Sequence, residues 1–208
     1  MKNGKISVLI VDDHPIVRLG IAAIVNAQPD MAMVGQATDG QEALTCFDAL
    51  CPDVTLMDLR LPGIGGVQAI RSIRMRHPDA KFLILTTYEG DEDIFQALQA
   101  GAVGYLVKGM PHDVLLKGIR QVFEGRQYIP TEIAERLRER NPQAVLSGRE
   151  QQVLNHLAQG KSNKAIAELL GITEATVKRH VSVILQQLNV DDRTQAVLVA
   201  LRRGMVHL

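Results

Sequence analysis

No apolar run in this chain of 208 residues approaches the roughly 18–20 residues needed to cross a bilayer. The basic start, Met1 to Lys5, is followed by an apolar run that stops at Asp12-Asp13. That run is too short for a secretory signal core and lacks a small-residue cleavage site. Cysteine is scarce as well: Cys46 and Cys51 are the two present. They have neither metal-ligand spacing nor a flanking histidine, so a disulfide framework and a zinc site are both excluded as organising features. Two reduced thiols in the cytoplasm are the expectation. Net charge is also missing, because 23 Lys and Arg meet 23 Asp and Glu.

The balance hides an uneven distribution. Residues 1–125 hold 11 basic and 15 acidic side chains, and residues 144–208 hold 8 and 5. Residues 126–143 hold 4 and 3. An acidic front and a basic tail predict two domains with different partners. The boundaries expected are 1–125 for the first domain, 126–143 for a linker and 144–208 for the second. Gly125, Pro130, Asn141 and Pro142 punctuate the seam, and residues 132–140 are charged and helix-prone.

In the front half, apolar runs alternate with helical periods. Strands are expected near residues 6–11, 31–37, 54–57, 82–85 and 103–107. Helices follow each, with apolar positions at turn spacing (Val17, Ile21, Ile24 and Val25 in the first). Strands that are apolar throughout indicate a parallel sheet covered on both faces. Five such units in about 120 residues fit a doubly wound five-stranded α/β domain, flavodoxin-like in class. Its ligands would lie outside the carboxyl ends of the strands.

Those ends carry chemistry. The first strand is followed by Asp12 and Asp13, the third by Asp58, the fourth by Thr86 and Thr87, and the fifth by Lys108. Crowded carboxylates repel unless a cation joins them, and Mg²⁺ takes a few hard oxygens while keeping waters and a phosphate oxygen. Lys108 is a compact positive charge for a phosphoryl oxygen, and Thr86 offers a hydroxyl. Plainer readings stand beside these. Asp13 before His14-Pro15 fits a helix N-cap, Asp58 a turn cap, Thr86 a routine strand end and Lys108 a solvated loop.

The tail reads as four helices. Ser147-Gly148-Arg149-Glu150 has the form of a capping box. Ser162 and Thr173 stand at the starts of the second and third helices, with Gly171 between them, which is the helix-turn-helix pattern. Ile166, Leu169 and Leu170 are expected inward on the second. At 100° per residue, Val177, Val181, Ile184, Leu185 and Leu188 share one side of the third. Ala175, Lys178, Arg179, Ser182 and Gln186 share another, small or polar and free of acid. That face suits a major groove, with Lys178 or Arg179 reaching base edges; an ordinary solvated face is the alternative. In the last helix, Val197 and Leu201 look surplus to one inward face and suggest a dimer contact.

Val11-Asp12-Asp13-His14-Pro15, Met57-Asp58-Leu59-Arg60-Leu61-Pro62-Gly63, Leu85-Thr86-Thr87 and Gly104-Tyr105-Leu106-Val107-Lys108 resemble the receiver domains of two-component response regulators. The resemblance covers residues 5–125. It implies that Asp58 accepts a phosphoryl group from a sensor histidine kinase. It further implies that Asp13, Asp58 and the Arg60 carbonyl hold Mg²⁺, with Asp12 acting through water, and that Lys108 contacts the phosphoryl group. Thr86 and then Tyr105 would turn inward as the switch. Two positions depart from the family pattern: Gly109 stands where proline is common, leaving the Lys108–Gly109 peptide open, and Gly65 stands where aspartate is common. The bulky Arg60 and Tyr88 imply a moderately slow loss of the phosphoryl group.

Leu146-Ser147-Gly148-Arg149-Glu150, the Gly160–Ala167 run and Thr176-Val177-Lys178-Arg179-His180-Val181 resemble the output domain of NarL/LuxR-type transcription factors. The resemblance implies base contact by Lys178, Arg179 and Ser182. It implies phosphate contact by Asn163, Lys164, Thr173, Thr176 and Arg193, and dimers on paired DNA half-sites. Valine is frequent where Arg179 stands, so the sequence read would differ. The two halves together resemble the NarL/FixJ type of regulator, controlled by phosphorylation and turning over no small molecule. Two other readings remain. An aspartyl-phosphate phosphatase would want an acid where Arg60 stands, and a phosphate-independent interaction module would not need all of Asp12, Asp13, Asp58, Thr86 and Lys108.

Overall fold

The computed structural model describes residues 4–87, 90–131, 133–135 and 146–206. They fall into two compact units, one built mainly from residues before 136 and one mainly from residues after it.

The first unit holds a parallel sheet in the order β2-β1-β3-β4-β5. Its strands are β1 (Ile6–Val11), β2 (Met31–Ala37), β3 (Val54–Met57), β4 (Phe82–Thr86) and β5 (Gly104–Val107). Every residue of β1, β3 and β4 is buried. These central strands have helices over both faces, which is why they read as unbroken apolar runs rather than alternating ones. The helices are α1 (Pro15–Asn26), α2 (Gly40–Leu50), α3 (Gly66–Arg76), α4 (Asp91–Gln99) and α5 (His112–Phe123). Ile21 and Val25 of α1 and Leu115, Leu116, Ile119 and Val122 of α5 join Val8, Ile10, Leu56 and Leu83 in one buried cluster. Ala69, Ile70 and Ile73 of α3 are buried as well.

The helix starts follow local chemistry. Asp39 accepts from the Glu42 N–H at 2.8 Å, and Glu42 reaches back to the Thr38 N–H at 2.8 Å. That reciprocal pair satisfies two amides with no helical partner. Chain order reverses between β1 and β3, the switch point where α/β sheets bind ligands. Val11 and Met57 are paired across it, so the residues that follow, Asp12 and Asp58, emerge together.

The stretch expected to begin as a linker is tied to the sheet edge at first. Tyr128 donates its N–H to the Val103 carbonyl at 3.0 Å and accepts from the Tyr105 N–H at 2.8 Å. The helix expected over 132–140 falls mostly outside the described residues, as do residues 136–143 of the seam and Tyr88.

The second unit holds α6 (Gly148–Ala158), α7 (Asn163–Leu170), α8 (Glu174–Leu188) and α9 (Arg193–Arg202). Ser147 and Glu150 form the expected reciprocal capping box. Ser162, Thr173 and Asp192 accept from N–H groups in the first turns of α7, α8 and α9. Val153, Leu154, Leu157, Ile166, Val177, Ile184 and Leu188 make one core. Two expectations change here. Leu169 is 57 % exposed, and the small Ala167 takes the inward place instead. On α9, Val197 and Leu201 pack partly against the core, while Leu198 is the exposed one at 52 %. Ala196 and Ala200 are fully buried there, so α9 seats its small residues deepest and turns a leucine outward. Among the described residues no helix is long and apolar enough to cross a membrane.

Candidate functional site

The carboxyl ends of β1, β3 and β5 converge on one ion-paired cluster. The Asp58 N–H donates to the Val11 carbonyl at 2.9 Å, and the Asp12 N–H donates to the Ala37 carbonyl at 3.1 Å. These bonds extend the sheet ladder by one residue, so the two carboxylates project from a rigid edge. Asp12 is 1 % exposed and Asp58 4 %. The Lys108 N–H donates to the Thr86 carbonyl at 2.7 Å, which aims the lysine along the same edge. Its ammonium reaches Asp12 Oδ2 at 2.7 Å and Asp58 Oδ2 at 2.5 Å.

Burial is the largest influence on the Lys108 ammonium and pulls its pKa down. Hydrogen bonds to Asp12 and Asp58, with their charges, outweigh it and hold the pKa above the usual lysine range. A raised lysine pKa stabilises the folded state below the unfolded value, and that contribution is lost only as pH rises through the folded value. The Lys108 ammonium is therefore charged at neutral pH.

Asp58 also caps its own turn, because Oδ1 accepts the Arg60 N–H at 3.2 Å. The plain and the chemical readings of Asp58 coexist on its two oxygens. Asp13, by contrast, is not the N-cap of α1. His14 takes that place, with Pro15 at the first helical position and no side-chain cap bond. Asp13 stays exposed, with Oδ1 at 2.7 Å from His14 Nδ1.

Ligand atoms of Asp12, Asp13, His14 and Asp58 all lie within 4.8 Å of one another. Three carboxylates meet one ammonium here, so negative charge is left over, and each carboxylate oxygen is a hard donor with a second lone pair. This set fits a divalent cation. Sequence patterning does not single out His14; the available signal is the unbroken run Asp12-Asp13-His14.

Thr86 is buried at the end of β4, and Tyr105 is fully buried in β5 in register with Ile84. Thr86 connects to the cluster through the Lys108 backbone. The Arg60 side chain is partly exposed beside the turn. Two glycines shape the rim. Gly109 has φ +93°, and no cis peptide occurs among the described residues; the position usual for proline thus turns in the left-handed region that glycine tolerates. At Gly66 a Cβ would stand 2.0 Å from the Asp58 carbonyl oxygen, so α3 begins in direct backbone contact with the Asp58 turn. Gly65 is the N-cap of α3 and makes no side-chain cap bond.

In the helical unit, Ala175, Lys178, Arg179, Ser182 and Gln186 of α8 are all exposed. Val177, Ile184 and Leu188 on the other side are buried. The polar face is not free of acid, because Glu174 pairs with Lys178 at 3.0 Å one turn away. Ser182 donates its hydroxyl to the Lys178 carbonyl at 3.1 Å. Thr173 and Thr176 are occupied with capping: Thr173 Oγ1 accepts the Thr176 N–H at 3.1 Å, and the two hydroxyls lie 2.8 Å apart. Arg193 donates to the Lys161 carbonyl at 2.9 Å. Lys164 is exposed and Asn163 partly so at the start of α7.

Comparison with known proteins agrees with both units. Residues 8–120 match the response regulator receiver domain. Residues 144–200 match the luxR family of bacterial regulatory proteins. The transcriptional regulatory protein DegU of Brevibacillus brevis is 35 % identical, over 99 % of this chain and 97 % of its own length. The response regulator ChrA of a heme-sensing two-component system is 38 % identical, covering 97 % of this chain and 99 % of that one, with a TM-score of 0.58. A structure of two RcsB dimers bound to two parallel DNAs is 25 % identical, covering 96 % and 98 %, with a TM-score of 0.68. A receiver unit with a switch-point acid cluster, followed by a luxR-type helix-turn-helix unit, makes this chain a member of the two-component response regulators that regulate transcription, of the NarL/FixJ type.

Proposed function

We propose that Asp58 is the phosphoacceptor through which a sensor histidine kinase controls DNA binding by this chain. The Asp58 carboxylate carries the reading. It is nearly buried at a rigid strand end, held by Lys108, and close to two further carboxylates. An Asp58 oxygen attacks phosphorus, the phosphorus–nitrogen bond of the donor phosphohistidine breaks, and the bonding electrons leave with the imidazole. The product is an acyl phosphate, labile enough to serve as a timed signal.

Lys108 is already charged and beside Asp58, so it can take a phosphoryl oxygen without being recruited. Thr86 supplies a hydroxyl donor, and Tyr105 reports the change to the surface around α4, β5 and α5. Asp13 and Asp58 side chains and the Arg60 carbonyl would hold Mg²⁺, with Asp12 acting through water. When bound, the ion offsets the carboxylate charge and the charge on the transferred group. Residues 1–125 form the phosphoacceptor domain, 126–143 the connection and 144–208 the DNA-binding domain.

In that last domain α8 enters the major groove, with Lys178, Arg179 and Ser182 toward bases. Asn163, Lys164, Thr173, Thr176 and Arg193 face phosphates. The phosphorylated chain acts as a homodimer on paired half-sites in the cytoplasm and turns over no small molecule. The RcsB dimers on DNA support the dimeric part of this reading.

Acetyl phosphate labelling tests it. Wild-type chain should label in a way that depends on a divalent cation and should then bind selected DNA fragments more tightly. Asp58→Asn should do neither. Labelling that survives the substitution, or steady release of phosphate from a free phosphoester, would overturn the proposal.

A further inference from the structure

His14 has an unusual position for a helix N-cap residue. Its side chain makes no bond to the N–H groups of α1, although these are the natural partners at that position. It turns to the acid cluster instead. Nδ1 lies 2.7 Å from Asp13 Oδ1 and 3.1 Å from Asp12 Oδ1.

The backbone fixes this placement. The His14 N–H donates to Asp12 Oδ1 at 2.9 Å. Pro15 locks the start of α1, and Arg18 holds the Asp12 carbonyl at 2.6 Å. The ring is 63 % exposed, so a hydrated ion arriving from solvent meets it directly. His14 is thus the single nitrogen donor in a four-residue group whose ligand atoms all fall within 4.8 Å.

Nitrogen and oxygen donors rank cations differently. Mg²⁺ is hard, prefers oxygen and retains its waters. Along the first-row series, affinity for a given nitrogen and oxygen site rises from Mn²⁺ to Co²⁺, and both take an imidazole nitrogen more readily than Mg²⁺. We propose that His14 is a specificity-determining residue for the cation of the acid cluster, its imidazole nitrogen biasing the site toward Mn²⁺ and Co²⁺ over Mg²⁺. This rests on the reading of the cluster as a divalent-cation site. It adds that the identity of the cation is set in part by a side chain outside the carboxylate set. The imidazole exchanges its carboxylate hydrogen bonds for the ion, and the carboxylates themselves remain available.

The test measures metal binding on the full-length chain at one fixed neutral pH, without a phosphoryl donor. Titration calorimetry gives the Mn²⁺, Co²⁺ and Mg²⁺ affinities of wild type, His14→Gln and Asp13→Ala. Losing the nitrogen in His14→Gln should weaken Mn²⁺ and Co²⁺ about tenfold, on the scale of a metal-ligand support lost, and leave Mg²⁺ within about twofold. Retained Mg²⁺ affinity also shows that the variant is folded. Pulsed electron paramagnetic resonance of the Mn²⁺-loaded wild type should show coupling to a histidine nitrogen, and His14→Gln should lose it.

An equal loss for all three ions, an equal gain for all three, or no nitrogen coupling in wild type overturns the role of His14. Asp13→Ala separates this from failure of the underlying reading. If Asp13→Ala weakens every ion while His14→Gln leaves selectivity unchanged, the cluster binds cations and the inference about His14 is wrong. If Asp13→Ala changes nothing, the cation site itself is wrong.

Discussion

Thr55 places a hydroxyl in the middle of β3, fully buried, and its Oγ1 meets no hydrogen-bond partner. An unsatisfied buried hydroxyl forfeits its hydration without return, whereas a methyl in the same place does not. Thr55→Val should therefore stabilise the receiver unit by about 1 kcal/mol, read as a higher urea midpoint at an unchanged slope. A lower midpoint would show that the hydroxyl has an acceptor in solution. Three residues away, Asp58 is equally inaccessible, yet each of its oxygens has a partner. Of the two buried polar side chains on and just beyond this short strand, Thr55 thus lacks a partner and Asp58 has both oxygens bonded.

On the scale of elements, α8 is the part whose two faces matter separately. Its buried face holds it to the helical core, and its exposed face carries Lys178, Arg179, Ser182 and Gln186. Replacing Arg179 by alanine should cost about 1–3 kcal/mol on a selected DNA site and relax the sequence preference at one position. Lys164→Ala should weaken all sequences alike and lower the salt dependence of log K by about 1. Lys178→Ala should cost less than Arg179→Ala, because Lys178 must first leave its ion pair with Glu174. Fluorescence anisotropy over a salt series separates the three. Equal effects of all three variants on every sequence would remove the base-reading role from α8.

At the scale of the whole α/β unit, α5 is tied to the lead-in of β2 by Arg120, whose guanidinium donates to both oxygens of Asp30 at 2.8 and 3.0 Å. The Arg120 hydrogen bond is the main reason the Asp30 pKa lies below its usual value. A depressed aspartate pKa stabilises the folded state above the unfolded value, and the contribution disappears as pH falls through the folded one. Asp30→Asn should lose stability at neutral pH by less than about 1 kcal/mol, because the pair is solvent-exposed. The gap from wild type should close below about pH 4. Melting temperatures across pH at low salt give the comparison, and a constant gap would assign the effect to packing.

Much of this protein was legible beforehand because its signals are local. Val54–Met57 followed by Asp58, or Ser147 followed by Glu150, are read from neighbours, and each formed as expected. Errors arose where a helix has more apolar residues than its buried stripe can take. Leu169 and Leu198 point outward while Ala167, Ala196 and Ala200 lie inside, since closely approaching helices admit only small side chains at the contact. On α8 the angular spacing separates the two faces, while the ion pair of Glu174 with Lys178 follows from their i, i+4 spacing.

The sequence by itself determined the elements, their order and the residues at each strand end, because periodicity and capping act over a few residues. Only the tertiary structure decided which strand ends meet. The order β2-β1-β3-β4-β5 sets β1 beside β3, and that adjacency puts Asp12 and Asp58 on a single ammonium. The turn of His14 toward Asp12 and Asp13 is by contrast local, made within one unbroken run of residues, whereas the meeting of Asp12 with Asp58 exists only once the strands are assembled.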